Sequence, residues 1–145
     1  MAKVERVSPE EAKRLTDEGY LYLDVRTEQE YAAGHPAGAH NLPVFLAGSH
    51  GLEPNVDFIP LAEALYPKDA RIVVGCRSGH RSLHAAELLL AAGFAHVIDQ
   101  RAGFDGARDP FGQLTEPGWA ALRLPVATTT EGGSYAERKK LAGKP

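Results

Sequence analysis

The chain is expected to fold as an α/β domain around a largely parallel sheet. Short apolar runs rich in β-branched and aromatic residues alternate with segments of helical spacing, the pattern of successive βα units. Several helix starts are written out as capping boxes. One strongly apolar run, Arg71–Gly75, ends in a short polar loop that opens directly into a helix, as strands of open α/β sheets do.

Ser8-Pro9-Glu10-Glu11 offers a side-chain cap, a proline whose missing N–H costs nothing at the first helical position, and a carboxylate three residues on. A helix is predicted from there to about Asp17, with Gly19 ending it. Tyr20–Val25 reads as a strand. Thr27-Glu28-Gln29-Glu30 repeats the box ahead of Tyr31-Ala32-Ala33, and Gly34 stops that short helix. Ile59, Leu61, Ala62 and Leu65 predict a helix over Val56–Leu65, with Pro60 awkward in its first turn.

Arg71–Gly75 and His96–Asp99 are the remaining predicted strands, and their continuous apolarity predicts burial on both faces. Between them, after Gly79, Leu83, Ala86, Leu89 and Leu90 form an apolar stripe that runs up to Gly93. Glycines, prolines and polar residues predict loops and short turns from Arg101 to Gly118. Thr128–Gly133 reads as a linker, and Ser134-Tyr135-Ala136-Glu137 opens a terminal helix too short to be stable alone, which must dock on the body or on a partner. The expected organisation is one domain over residues 1–127, followed by a linker and short helix over 128–145.

The bulk composition narrows the function. A net charge of -3 leaves no global footprint for nucleic acid, and no apolar run approaches a membrane span. Met1–Arg6 lacks the apolar stretch of a secretory signal, so a soluble, cytoplasmic chain is expected, with neither nucleic acid nor membrane as partner. The single cysteine excludes an intramolecular disulfide and a cysteine-based zinc cluster. Whatever Cys76 does, it does with an outside partner.

The informative stretch is Ile72-Val73-Val74-Gly75-Cys76-Arg77-Ser78-Gly79-His80-Arg81-Ser82. A cysteine between a strand end and a helix start sees backbone N–H groups whose partial positive charge favours an anion. Arg77 and Arg81 add to that field, so the thiolate is expected at neutral pH. A lone cysteine is usually a small buried filler. Here Arg77, Ser78, His80 and Arg81 make the surroundings too polar for that, and Gly75 and Gly79 permit the curvature of an anion cradle. Cys76, His80 and His84 stand four residues apart, but Cys76 belongs in the loop before the helix and no carboxylate completes a set nearby, so no metal site is expected.

With CRSGHRS at 76–82 and the segment from Leu23 to Pro43, including Asp24-Val25-Arg26 and Gly34-His35-Pro36-Ala37-Gly38, the chain resembles the rhodanese family, specifically its small single-domain members. The resemblance spans roughly Val4 to Val126. It implies a rhodanese-like fold: a five-stranded, mostly parallel sheet with helices on both faces and a loop curled around the catalytic sulfur. It also implies ping-pong sulfur transfer without a cofactor. Cys76 would take sulfur from a thiosulfate-like anion, hold it as a persulfide on the N–H groups of the loop Arg77, Ser78, Gly79, His80 and Arg81, and pass it to cyanide or a protein thiol.

Arg77 and Arg81 would guide the anionic donor, although Arg81 could equally turn outward to a carboxylate. Arginine directly after the cysteine resembles thiosulfate-using members, whereas glycine is usual in mercaptopyruvate-using ones. Asp24, Arg26 and His35 match the family's first signature and are expected to support loops rather than react. Pro36 replaces a usual apolar residue, Ala102–Ala107 departs from a familiar Gly-Gly-aromatic pattern, and the residues after Ala107 look like an insertion, with Trp119 recovering aromatic packing.

Two other functions fit less well. Cysteine phosphatases and arsenate reductases of related fold separate cysteine and arginine by five residues, whereas four stand between Cys76 and Arg81. A binding or regulatory module without turnover would keep the fold but has no need for an intact nucleophile, whereas a carrier that only relays sulfur between two proteins would retain it.

Overall fold

The computed structural model describes residues 3–143, so the outer ends of the expected 1–127 and 128–145 segments lie outside the described residues. The chain runs through β1 (Glu5–Val7), α1 (Pro9–Asp17), β2 (Leu21–Asp24), α2 (Glu28–Ala33), β3 (His35–Pro36) and β4 (His40–Asn41). A hairpin of β5 (Phe45–Gly48) and β6 (Gly51–Pro54) leads to α3 (Phe58–Leu65), β7 (Arg71–Gly75), α4 (His80–Ala91) and β8 (His96–Gln100). The last part holds β9 (Ala107–Arg108), β10 (Leu114–Glu116), β11 (Val126–Ala127) and α5 (Tyr135–Leu141).

The main sheet has five parallel strands in the order β1-β8-β7-β2-β4. Side chains alternate across it, as period two requires. Ile72 and Val74 join a cluster with Phe58, Leu61, Ala62, Ala85, Ala86, Leu89 and Tyr135, which places α3, α4 and α5 on one face. Val73 joins Ala12, Leu15, Tyr22, Tyr31 and Trp119 on the other, under α1 and α2. Covering both faces is why the central strands read as unbroken apolar runs.

The predicted side-chain caps are made, but the box at Ser8 stays open because the Glu11 carboxylate pairs with Arg14 instead. Ser8 Oγ accepts the Glu11 N–H at 3.1 Å, and Thr27 and Glu30 close a reciprocal box. Helix α3 starts at Phe58, two residues later than its apolar spacing predicts, because Asn55 Oδ1 captures the Asp57 N–H at 3.0 Å in a local turn. Val56 is left exposed, and Pro60 falls in the first turn, where its missing N–H removes no bond.

Helix α4 corrects a second expectation. Its buried face is Ser82, Ala85, Ala86 and Leu89, while Leu83 and Leu90 are only half-buried. The i, i+3, i+4, i+7 pattern is present but rotated by one residue, so a serine lies against the sheet. The predicted loops from Arg101 to Gly118 hold a further exception, the antiparallel β9–β10 pair. Thr128–Gly133 lies along the body: His35 Nε2 is 2.9 Å from the Thr129 carbonyl, and the Asn41 N–H donates to the Gly133 carbonyl at 2.7 Å.

Candidate active site

Strand β7 runs between β2 and β8, so its carboxyl end opens in the middle of the sheet. Gly75 is pressed against Tyr22, and a Cβ there would fall 1.9 Å from the phenol oxygen. Burial first, then the Asp24 charge, pushes the Tyr22 phenol far above its ordinary value, so the neighbour of the loop stays neutral.

Cys76 follows and is 2% exposed. Its Sγ receives the Gly79 N–H at 3.1 Å, and the thiol donates to Ser82 Oγ at 3.4 Å. Gly79 has φ +101°, and a Cβ on it would lie 2.2 Å from the Arg101 carbonyl oxygen, so only glycine turns the chain here. No side chain caps α4, so the N–H groups of its first turn are left to the loop and whatever the loop holds.

A second loop braces the first from below. The Phe104 N–H donates to the Cys76 carbonyl at 2.7 Å and the Asp105 N–H to the Arg77 carbonyl at 2.9 Å. Buried Gln100 shapes that loop, accepting from the N–H groups of Ala102 and Gly103 and donating to the Gly103 carbonyl. Gly103, at φ +71°, allows the approach, since a Cβ would stand 2.4 Å from the Arg77 oxygen.

Arg77 is exposed and pairs with Asp105, Nε to Oδ2, at 2.9 Å. That pair stands between two grooves of about 430 and 250 Å³, both of which it lines together with Phe104. Ser78 lines the larger groove, and His80 is exposed at the start of α4. Arg81 turns to Glu30 in a two-pronged ion pair. Burial raises the Glu30 pKa, but hydrogen bonds from Arg81 and from the Thr27 backbone outweigh it and hold the carboxyl at about 2.

The Asp24–Arg26 pair is buried, with Nη2 2.7 Å from Oδ2. The same guanidinium donates to the Gly34 carbonyl and lies over the Phe104 ring at 4.5 Å, tying β2, α2 and the lower loop together. His35 stacks on Tyr31 at 3.7 Å, and its ring nitrogens face the carbonyls of Tyr31 and Thr129, so it fastens the segment after β11.

A family profile described as the rhodanese-like domain matches residues 8–109. The chain belongs to the rhodanese-like domain family. Over 86 residues it is 42% identical to thiosulfate sulfurtransferase 16, chloroplastic, of Arabidopsis thaliana, covering 59% of this chain and 72% of the relative. Over 118 residues it is 33% identical to the thiosulfate sulfurtransferase GlpE of Ectopseudomonas mendocina, covering 81% and 97%. The matched region is about half the length of the senescence-associated protein DIN1 of Raphanus sativus, at 51%, with 40% identity. Among solved structures, Rv0390 of M. tuberculosis superposes with a TM-score of 0.73 at 26% identity, covering 88% of this chain and all of that one. Two of these relatives are named thiosulfate sulfurtransferases, and the fold is shared with the Rv0390 structure.

Around the cysteine of this rhodanese-like domain stand residues that the sequence did not single out. Glu30 was visible only as a capping residue, and Asp105 only as part of an atypical loop. Arg6 reaches from β1 to Asp99 at 2.7 Å and to the Gly79 carbonyl at 3.0 Å. An aspartate and a glutamine ending an apolar strand, both 0% exposed, were the one available signal for Asp99 and Gln100. The expected cradle of N–H groups is represented at the sulfur by Gly79. No helix among the described residues is long and apolar enough to cross a membrane.

Proposed function

We propose that this rhodanese-like domain is a sulfurtransferase that carries sulfane sulfur on Cys76. The observation that carries the reading is the Gly79 N–H directed at a buried Cys76 Sγ, at the uncapped start of α4. Such a group stabilises negative charge on sulfur without needing to reorganise when the charge moves outward by one atom.

In the proposed cycle the Cys76 thiolate attacks the outer sulfur of a thiosulfate-like anion. The new S–S bond forms as the donor's S–S bond breaks, and sulfite departs with the electron pair. Cyanide or a protein thiol then takes the outer sulfur and returns the thiolate. No cofactor is required. Arg81 is committed to Glu30, so Arg77 is the arginine of the loop that meets an incoming donor. The short loop holds a single sulfur rather than a phosphate, which favours this chemistry over a phosphatase or arsenate reductase. A cytoplasmic location remains the expectation for this chain; the name of one relative places that protein in the chloroplast.

One observation supports a relay that hands sulfur only to a protein acceptor: Cys76 lines neither groove, and the Arg77–Asp105 pair stands between them. Intact mass after thiosulfate treatment, with Cys76→Ser alongside, followed by cyanide, separates the possibilities. Sulfur gained by wild type alone and released as thiocyanate supports the enzyme. Sulfur retained against cyanide supports the relay, and activity surviving in Cys76→Ser overturns both.

A further inference from the structure

One carboxyl close behind the sulfur has no part in the cycle above. Asp99 is 0% exposed on β8, beside β7, where it is in register with Val74, two residues before Cys76. Arg6 from β1 satisfies its Oδ2, while Oδ1 makes no hydrogen bond of ordinary geometry among the described residues. Ser82, also 0% exposed, accepts from the Cys76 thiol at 3.4 Å, and its hydroxyl opposes the burial that raises the Asp99 pKa. A serine on the buried face of α4, where alanine would pack as well, calls for a chemical reason.

We propose that Ser82 and Asp99 form a proton relay behind Cys76. The thiol proton passes to Ser82 Oγ as the Ser82 hydroxyl proton passes to Asp99 Oδ1, leaving a thiolate, an unchanged serine and a neutral aspartic acid. No bond other than these to hydrogen changes, and no electron is transferred. The proton stays on Asp99 through sulfur gain and release, because both the thiolate and the persulfide carry one negative charge. A thiolate and a carboxylate therefore never face each other in the dry space behind the loop.

The surroundings agree. Burial is the largest influence on Asp99 and raises its pKa against the opposing effects of Ser82 and Arg6. The charged or titratable neighbours that respond to Cys76 are Arg81 on α4 and Tyr22 on β2. Arg81 is paired with Glu30, and Tyr22 is a buried phenol too weakly acidic to give up its proton at neutral pH. Arg6 ties the relay to the cradle, since it also holds the Gly79 carbonyl.

The inference rests on the sulfurtransferase reading, yet its test needs no sulfur donor. Iodoacetamide modifies only Cys76, the single cysteine, so alkylation rates at pH 7 and pH 9.5 report that thiol alone. At pH 7, Ser82→Ala and Asp99→Asn should each react about fivefold more slowly than wild type, and the double variant no more slowly than either. At pH 9.5, where hydroxide replaces the relay, the rates should converge. Equal rates at pH 7, or a deficit that persists at pH 9.5, overturn the relay. Where Asp99→Asn does not fold with Arg6 unpaired, Ser82→Ala, one atom smaller than wild type, decides alone. Failure of wild type to gain sulfur from thiosulfate counts against the sulfurtransferase reading and leaves the alkylation result to stand or fall by itself.

Discussion

Arg81 and Glu30 meet in a two-pronged ion pair, with Nη1–Oε1 at 2.7 Å and Nη2–Oε2 at 2.9 Å, that ties the first turn of α4 to α2 beside the cysteine loop. Glu30 also closes the Thr27 capping box with the same carboxyl. Its pKa is held at about 2 in the folded protein, below the ordinary 4.5. A depressed carboxyl stabilises the fold above its unfolded pKa, and that contribution fades as pH falls through the folded value. Glu30→Gln should therefore cost about 2 kcal/mol at pH 6, after allowance for solvent screening, and progressively less between pH 4.5 and 2. Urea denaturation across that range checks this, and a constant difference would contradict it.

Asp105 competes with an anionic donor for Arg77. The pair is exposed, so its strength is at most about 1 kcal/mol, or roughly fivefold in an equilibrium. Asp105→Asn is expected to lower KM for thiosulfate by about threefold, and Arg77→Ala to raise it by a similar factor, with smaller effects on an uncharged donor. Steady-state kinetics with both donors decides; equal changes for the two would remove the steering role of Arg77.

His40 gives a different pH signature. Burial first, then the Arg138 cation, lowers its pKa from 6.5 to about 4, and its Nδ1 lies 2.9 Å from the Tyr66 hydroxyl. The folded state thus prefers the neutral ring, so its stabilising effect is complete above pH 6.5 and is lost as pH falls toward 4. Wild type should lose about 1–2 kcal/mol across that window, after allowance for screening, and His40→Gln should not show this loss. Parallel stability–pH curves for the two proteins would rule out His40 as the source.

Gly79 tests the geometry of the loop. A methyl group there meets the Arg101 carbonyl oxygen at 2.2 Å with φ at +101°, whereas at Gly112, φ +81°, it meets nothing within 4 Å. Gly79→Ala is expected to cost about 3 kcal/mol or more and to abolish sulfur transfer, and Gly112→Ala about 1 kcal/mol with transfer retained. Thermal melts and thiocyanate formation, measured together, distinguish a displaced loop from a general loss of fold.

The local signals were legible in the sequence. Side-chain caps at Ser8, Thr27 and Ser134, the apolar β7 strand and a cysteine between strand end and helix start each depend on residues within a few positions of one another, so the backbone follows from them directly. The rotated face of α4 and the later start of α3 were not legible. The first depends on how closely Ser82 can approach the sheet, the second on a single side-chain hydrogen bond from Asn55.

By itself the sequence determined the α/β class, the main helices and the family, and it singled out the cysteine proposed as the nucleophile. Tertiary structure alone decided what surrounds that nucleophile: Arg81 finds Glu30 51 positions away, Arg77 finds Asp105 28 away, and Arg6 finds Asp99 93 away. Each of these cations had several acidic residues to choose from. The β1-β8-β7-β2-β4 strand order made the choice, because it brings distant segments to the cysteine loop from either side of β7, and no periodicity along the chain encodes which strands will be neighbours.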